Sequence, residues 1–308
     1  MSEFGFQSFP EFNSVKKYTL PEDWDIYSNV MKSHQRSTIG NETIELYMLR
    51  DFNKPKDFES FLYVGQVLQA EGVKIGMEGH RRNKPWCMGS LYWQINDCWP
   101  VASWSGIDYY GRWKALHYYA KKAFSPVLVS PERDSGKIKI HAVSDLLNDQ
   151  NATLKLTLLD ISGNVLFEQT KDITLVQNSS SVIETLDEKN LLNDSDTSSV
   201  FLNVRLIDGE NLLSENNLWF AAPKNQKLIP PGLSAEINKS DEGYTIKIKT
   251  EKLARKVYLY IPDDMEGFFS DNFFDLLPGS SAEVKLKTRQ VFDNPGEVLK
   301  IRTLDDAY

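Results

Sequence analysis

Only two cysteines occur in the 308 residues, Cys87 and Cys98, and they bracket an apolar run that reads as a strand. An extended strand of that length holds its ends too far apart for a disulfide, so free thiols are expected. No stretch approaches the roughly 20 apolar residues that a membrane helix needs, which excludes a helical span. Basic side chains are in the minority, 35 against 43 acidic, for a net charge of −8. With no basic stripe to neutralise a phosphate backbone, nucleic acid is excluded as a partner. The opening MSEFGFQSFP has neither a charged n-region nor an apolar h-region, so no signal peptide is visible. A periplasmic, secreted or lysosomal location would follow only from a signal upstream of Met1. Metal-ligand spacings such as CxxC or HExxH are missing as well, as are helical repeats and low-complexity tracts, and no metal or organic cofactor is expected.

A hydrophobic share of 41% and a charged share of 25% are ordinary for a soluble globular protein. The length exceeds that at which one hydrophobic core stops growing, which predicts two or three domains. Aromatic residues reach 12%, and of seven tryptophans five fall between Trp86 and Trp113. Such rings are most often large core residues, with platforms for the apolar faces of sugars as the alternative.

Residues 1–124 read as helices and loops around one apolar strand. Phe58, Phe61, Leu62, Leu68 and Val73 keep near-helical spacing behind Asp57, a candidate N-cap. Cys87 to Ile95, preceded by Pro85, fits a strand buried on both faces, as in a parallel sheet or barrel. Trp113, Leu116, His117, Ala120 and Phe124 mark one face of a following helix. Helix, buried strand, loop and helix is the rhythm of a βα barrel. Beyond Pro126 the period becomes two, in Ile138/Ile140/Ala142, Leu154/Leu156/Leu158 and Val200/Leu202/Val204/Leu206, with turn residues at Ser162-Gly163-Asn164 and Asp208-Gly209-Glu210-Asn211. These runs predict an immunoglobulin-size sandwich over 125–222. Ala222 to Gly232, with three prolines, reads as a linker. Tyr244/Ile246/Ile248, Val257/Leu259/Ile261 and Val284/Leu286 then predict a second, smaller sandwich within 223–308.

The segment richest in chemistry is Leu91-Tyr92-Trp93-Gln94-Ile95-Asn96-Asp97-Cys98-Trp99-Pro100. It would place amide, carboxylate and ring groups at a strand's C-terminal end, where barrel active sites lie. Equally, Asn96 and Asp97 could cap the following turn and Trp99 could be core. His34-Gln35-Arg36 reads as a solvated helix end, with reach toward a cleft as the alternative. His80-Arg81-Arg82 reads as cations at a helix C-terminus.

Pro85 to Phe124, containing LYWQINDCWPVASWSGIDYYGRWKALHYYAKKAF, closely resembles the last barrel strand and helix of the β-mannosidases of glycoside hydrolase family two. Ser2-Glu3-Phe4-Gly5-Phe6-Gln7-Ser8 resembles the same family's nucleophile motif at the end of the seventh strand. Phe268-Phe269-Ser270-Asp271-Asn272-Phe273-Phe274-Asp275-Leu276 resembles its C-terminal sandwich. The resemblance implies a multidomain α/β plus all-β chain: a C-terminal remnant of a (β/α)8 TIM barrel, residues 1–124, followed by two immunoglobulin-like sandwiches.

It further implies a retaining exo-β-mannosidase whose partner is a mannose-containing oligosaccharide. Glu3 would be the nucleophile, Trp93 a sugar-stacking ring, and Gln94, Asn96 and Asp97 residues that line or brace the pocket. Retaining hydrolysis needs a second carboxyl group roughly 5–5.5 Å from the first as acid. In the family this acid follows an Asn after the fourth strand, ahead of the nucleophile. Here Asn41-Glu42 has the dipeptide but comes after it. The expectation is therefore that Glu3 is exposed and that the chain alone is inactive. The alternatives are a non-catalytic carbohydrate-binding or assembly module, and a related β-glucosaminidase or β-galactosidase.

Overall fold

The computed structural model describes residues 1–262 and 265–308. Two compact units emerge. One gathers Met1–Phe4, Lys74–Tyr92 and Ala120–Lys227; the other gathers Gly5–Val73, Trp93–Tyr119 and Leu228–Tyr308. The helices of the first third are α1 (Phe12–Val15), α2 (Asn29–Ser33), α3 (Gly40–Asp51), α4 (Phe58–Arg82) and α5 (Ala115–Ala123).

In the first unit, β1 (Val127–Asp134), β2 (Lys137–Ser144), β3 (Gln150–Asp160), β4 (Val165–Leu175), β5 (Ser180–Asp187), β6 (Val200–Asp208) and β7 (Asn211–Trp219) form an immunoglobulin-like sandwich, with α6 (Glu188–Leu192) between β5 and β6. One sheet has the order β1-β2-β5 and the other β4-β3-β6-β7. Alternation drives this: Ile138, Ile140, Leu154, Leu156, Leu158, Leu202, Val204 and Leu206 point inward and are buried. The β1–β2 hairpin turns at Ser135 and Gly136, both at positive φ (51° and 77°), the twist that a two-residue connection requires. Among the described residues β4 pairs with β3 alone and forms an edge.

The end of α4 joins the sandwich through polar groups. Glu78, buried, accepts from Ser130 Oγ at 2.7 Å and Asn216 Nδ2 at 2.9 Å. Arg81 donates to the carbonyls of Ala123 and Ser125 and pairs with Asp145 at 2.9 Å. The cations read at this helix's C-terminus thus fix the sandwich as well as meeting the helix dipole.

In the second unit, Asp57 caps α4, accepting from Ser60 N at 2.7 Å. Phe9, Met31, Ile44, Met48, Leu62, Val64 and Val67 form a helical core that also takes in Phe273, Leu304 and Ala307. The second immunoglobulin-like sandwich comprises β8 (Ser234–Ser240), β9 (Gly243–Lys249), β10 (Ala254–Tyr260), β11 (Phe268–Phe269), β12 (Phe274–Leu276), β13 (Ser281–Lys287) and β14 (Lys300–Arg302), with α7 (Pro295–Val298) before β14. Its sheets run β12-β10-β14 and β11-β13-β9-β8.

The Phe268–Leu276 stretch is specialised. Asn272 stands in for a strand neighbour, with its amide bonding both the N–H and the carbonyl of Leu259 at 2.8 Å. Phe273, at φ 55°, stacks on Tyr258 at 4.5 Å. Lys256 Nζ reaches Glu71 at 2.7 Å and Asp275 at 3.2 Å. Burial pushes the Asp275 carboxyl pKa up, but Lys256 and Arg255 outweigh it and hold the group well below the usual range.

One expectation fails. Cys87 to Ile95 forms no ladder strand, and Met88, Leu91, Trp93 and Ile95 are exposed rather than buried on both faces. A parallel-sheet strand needs neighbours on both edges and helices over both faces. Here Tyr92 has a single parallel bridge to Phe4, and Asn96 one to Ile107.

Candidate active site

Glu3 lies in the first unit and is exposed. The residue after it is fixed: Phe4 bridges Tyr92 and sets its ring edge-on to His80, centroids 4.9 Å apart. That ring occupies the space over Gly76, where an added Cβ would come within 2.7 Å of it.

Trp93, Gln94, Asn96 and Asp97 are brought together in the second unit. Gly5 belongs there too, and an added Cβ at Gly5 would stand 2.4 Å from the Trp93 carbonyl. Only glycine lets the two backbones approach so closely. The first motif therefore rests on the second. Trp93 is 49% exposed, a ring available at the surface. Gln94 N donates to Trp104 O at 3.1 Å, and Gly106 N returns a bond to Gln94 O at 3.0 Å.

Asp97, 6% exposed, is the hub of this segment. Its two carboxylate oxygens accept from Ser103 Oγ and Ser105 Oγ, each at 2.6 Å, and Gln94 Nε2 approaches at 3.5 Å. Asp97 therefore braces the loop from within, while Asn96 remains exposed and Gln94 half-buried. These are charge-assisted bonds of the stronger kind.

Sequence reasoning missed what lies beneath. Ser8 and Ser103 exchange backbone bonds at 3.0 and 3.1 Å. Lys114, 2% exposed, donates from Nζ to both carbonyls, Ser8 at 3.1 Å and Ser103 at 3.4 Å. Burial pulls the Lys114 pKa down from 10.5 to about 8, against the opposing pull of Asp97 and Asp108. Gln69, fully buried, accepts from Ser8 Oγ at 2.7 Å and donates to Phe6 O at 2.7 Å. A signal for Gln69 was available: it sits on the apolar face of α4 between Leu62 and Val73.

His34 caps the end of α2, but its ring is not simply solvated. It stacks on Tyr18 at 4.2 Å and bonds Pro100 O through Nδ1 at 2.6 Å. Gln35 lies between Gln7 and Asn41, at 2.8 and 2.6 Å. Asn41, of the Asn41-Glu42 dipeptide, is buried and donates to Ile26 O at 2.6 Å, a bracing role. Glu11 is a further carboxyl group of this region, half-buried. Desolvation raises its pKa despite Arg112 at 2.9 Å, and the Tyr258 hydroxyl bonds it, so it ties the helical part to β10.

Among the described residues no group of three or more His, Cys, Asp or Glu is arranged to hold a metal ion, and no helix is long and apolar enough to cross a membrane. Cys87 and Cys98 are both free. Among the described residues no aromatic ring of either sandwich is exposed; the exposed ones are Tyr27, Trp86, Trp93, Tyr109 and Phe124.

Residues 136–225 match the Mannosidase Ig/CBM-like domain family, and residues 228–307 match the Ig-fold domain family of mannosidases. The whole chain aligns at 31% identity with the β-mannosidase of Capra hircus, of which it covers 36%. It superimposes on the crystal structure of a β-D-mannosidase from Dictyoglomus thermophilum with a TM-score of 0.89 and 28% identity, over 98% of this chain and 37% of that one. An exo-chitosanase from Amycolatopsis orientalis shares the fold at a TM-score of 0.75 and 17% identity, over 97% of this chain and 41% of that one. The chain thus spans about a third of the length of the curated relatives it matches.

Proposed function

We propose a function on the premise that this chain belongs to the β-mannosidases of glycoside hydrolase family two and corresponds to a C-terminal part of such an enzyme. Residues 1–124 are the last part of a catalytic (β/α)8 barrel, and the complete protein is a retaining exo-β-mannosidase that removes terminal β-linked mannose from oligosaccharides or glycans. Glu3 attacks the anomeric carbon to form the glycosyl-enzyme. Trp93 stacks on the sugar, Gln94 and Asn96 line the pocket, and Asp97 braces it.

The observation that carries this reading is Gly5 seated on the Trp93 carbonyl, which joins the two site motifs. The parallel bridge between Phe4 and Tyr92 supports consecutive barrel strands, since barrel strands run parallel. A glycoside oxygen leaves poorly until protonated, so turnover needs a separate acid in addition to Glu3. The acid is assigned to the part of the enzyme outside these residues, and residues 1–308 alone are inactive. A carbohydrate-binding module is the weaker reading, because among the described residues neither sandwich presents an exposed ring for a sugar face.

The test is labelling of the complete enzyme with a 2-fluoro-mannosyl trapping reagent, alongside hydrolysis of aryl β-mannoside, β-galactoside and β-glucosaminide. Labelled Glu3 and preference for the mannoside are expected. A label on another carboxylate, or turnover of mannobiose by residues 1–308 alone, refutes the reading.

A further inference from the structure

A fully buried lysine is rare unless paired, and among the described residues Lys114 has no ion pair. Its bonded partners are the neutral carbonyls of Ser8 and Ser103, each of which already accepts a backbone N–H from the other residue. A Met or Leu of similar volume would fill the space without desolvating a charge. The ammonium therefore does something that packing does not require.

Its connections show what. Ser103, held by its carbonyl to Lys114, holds Asp97 by its hydroxyl, and Asp97 in turn meets Ser105 and Gln94 beside Trp93. The charged groups acting on Lys114 are Asp97 in this segment and Asp108 in the turn before it. Helix α4 contributes only neutral groups here, Gln69 on Ser8 and Gln66 on the N–H of Ala115.

We propose that Lys114 is a positioning residue whose ammonium, acting through Ser103 and Asp97, locks the Trp93–Asp97 segment against Ser8 and so sets the sugar-binding geometry. This rests on the reading of Trp93–Asp97 as the sugar site. When the ammonium loses its proton the clamp loosens, and the loss falls within reach of ordinary assays because burial has brought the pKa to about 8.

The test is the pH profile of kcat/KM on an aryl β-mannoside for the complete enzyme and three variants. The unmodified enzyme should lose activity on an alkaline limb with a midpoint near 8. Lys114→Met should be about 10–100-fold slower at neutral pH, the scale of a misplaced site, and should lack that limb. Asp97→Asn serves where Lys114→Met does not fold: removing a carboxylate that supports the ammonium should move the limb to lower pH. Trp93→Ala should lower the whole profile without moving its midpoint. An unmoved limb in a folded Lys114→Met or Asp97→Asn enzyme overturns the proposal. A Trp93→Ala enzyme with full kcat/KM instead overturns the underlying site assignment, whatever the lysine does.

Discussion

Strand β3 and the segment from Trp93 to Trp113 are ordered by opposite means. Strand β3 is laddered to β4 on one edge and β6 on the other, and its inward leucines are buried. The second segment has isolated bridges in place of a ladder, and its shape comes from scattered backbone bonds such as Gln94 N to Trp104 O together with Asp97, Ser103, Ser105, Gln69 and Lys114 bonding across it. A ladder spreads its stabilisation over the backbone, so side-chain changes on its outward face barely touch it, while those on its buried face are felt through packing. A polar clamp concentrates it in a few side chains and frees others, such as Trp93 and Asn96, to face outward.

The largest expected effect separates chemistry from packing. Glu3→Gln in the complete enzyme should lower kcat about 10⁴-fold or more, the scale of losing a covalent nucleophile, without shifting Tm. Residual turnover near the original rate would remove Glu3 from that role. Leu156→Ala should do the reverse. It should cost about 2–5 kcal/mol in denaturant unfolding, because a fully buried leucine leaves a cavity in the sandwich. A cost below ~1 kcal/mol would show a core that collapses freely.

Lys114 sharpens the contrast through pH. Its folded pKa is about 8 against an ordinary 10.5, so the cost of its buried charge is full below pH 8 and is relieved as pH rises toward 10.5, where the unfolded chain holds more protons. Relative to Lys114→Met, stability should rise by about 3 kcal/mol across that window. Activity should fall over its lower part. A pH-independent difference between the two in urea titrations would contradict this. The smallest effect is that of Trp93→Ala, about 1–3 kcal/mol in transition-state binding on the stacking scale, read from kcat/KM with an unchanged melting curve.

What the sequence disclosed follows the same division. Both sandwiches were readable because one buried face forces a period of two, as at Leu154/Leu156/Leu158 and Tyr244/Ile246/Ile248. Strand β4 was not, since on an edge its inward face is mostly only half-buried and the apolar positions Phe167, Ile173 and Leu175 are interrupted by Gln169 and Lys171. The apolar run at 87–95 misled because composition reports what a strand could bury, not whether neighbours are present to bury it. Asp97 was read as either a pocket brace or a turn cap, and its bonds to Ser103 and Ser105 make it a brace of its loop. Lys114 left no trace in spacing: beside Trp113, at the start of a helix, a lysine looks solvated, and only the fold shows it enclosed.

The outer edge of β4 bears on how these molecules meet one another. Its unpaired backbone donors and acceptors could seed strand addition between copies, as any bare edge can. Glu168, Lys171 and Asp172 stand exposed along it, and Lys155 and Glu184 pair with the first two at 2.9 and 3.1 Å. Charges fixed beside an edge make a second strand's approach unfavourable, so this row guards against aggregation rather than adding much to stability. Replacing Glu168 and Lys171 by valine should produce concentration-dependent light scattering. Clear solutions of that variant would place the safeguard elsewhere.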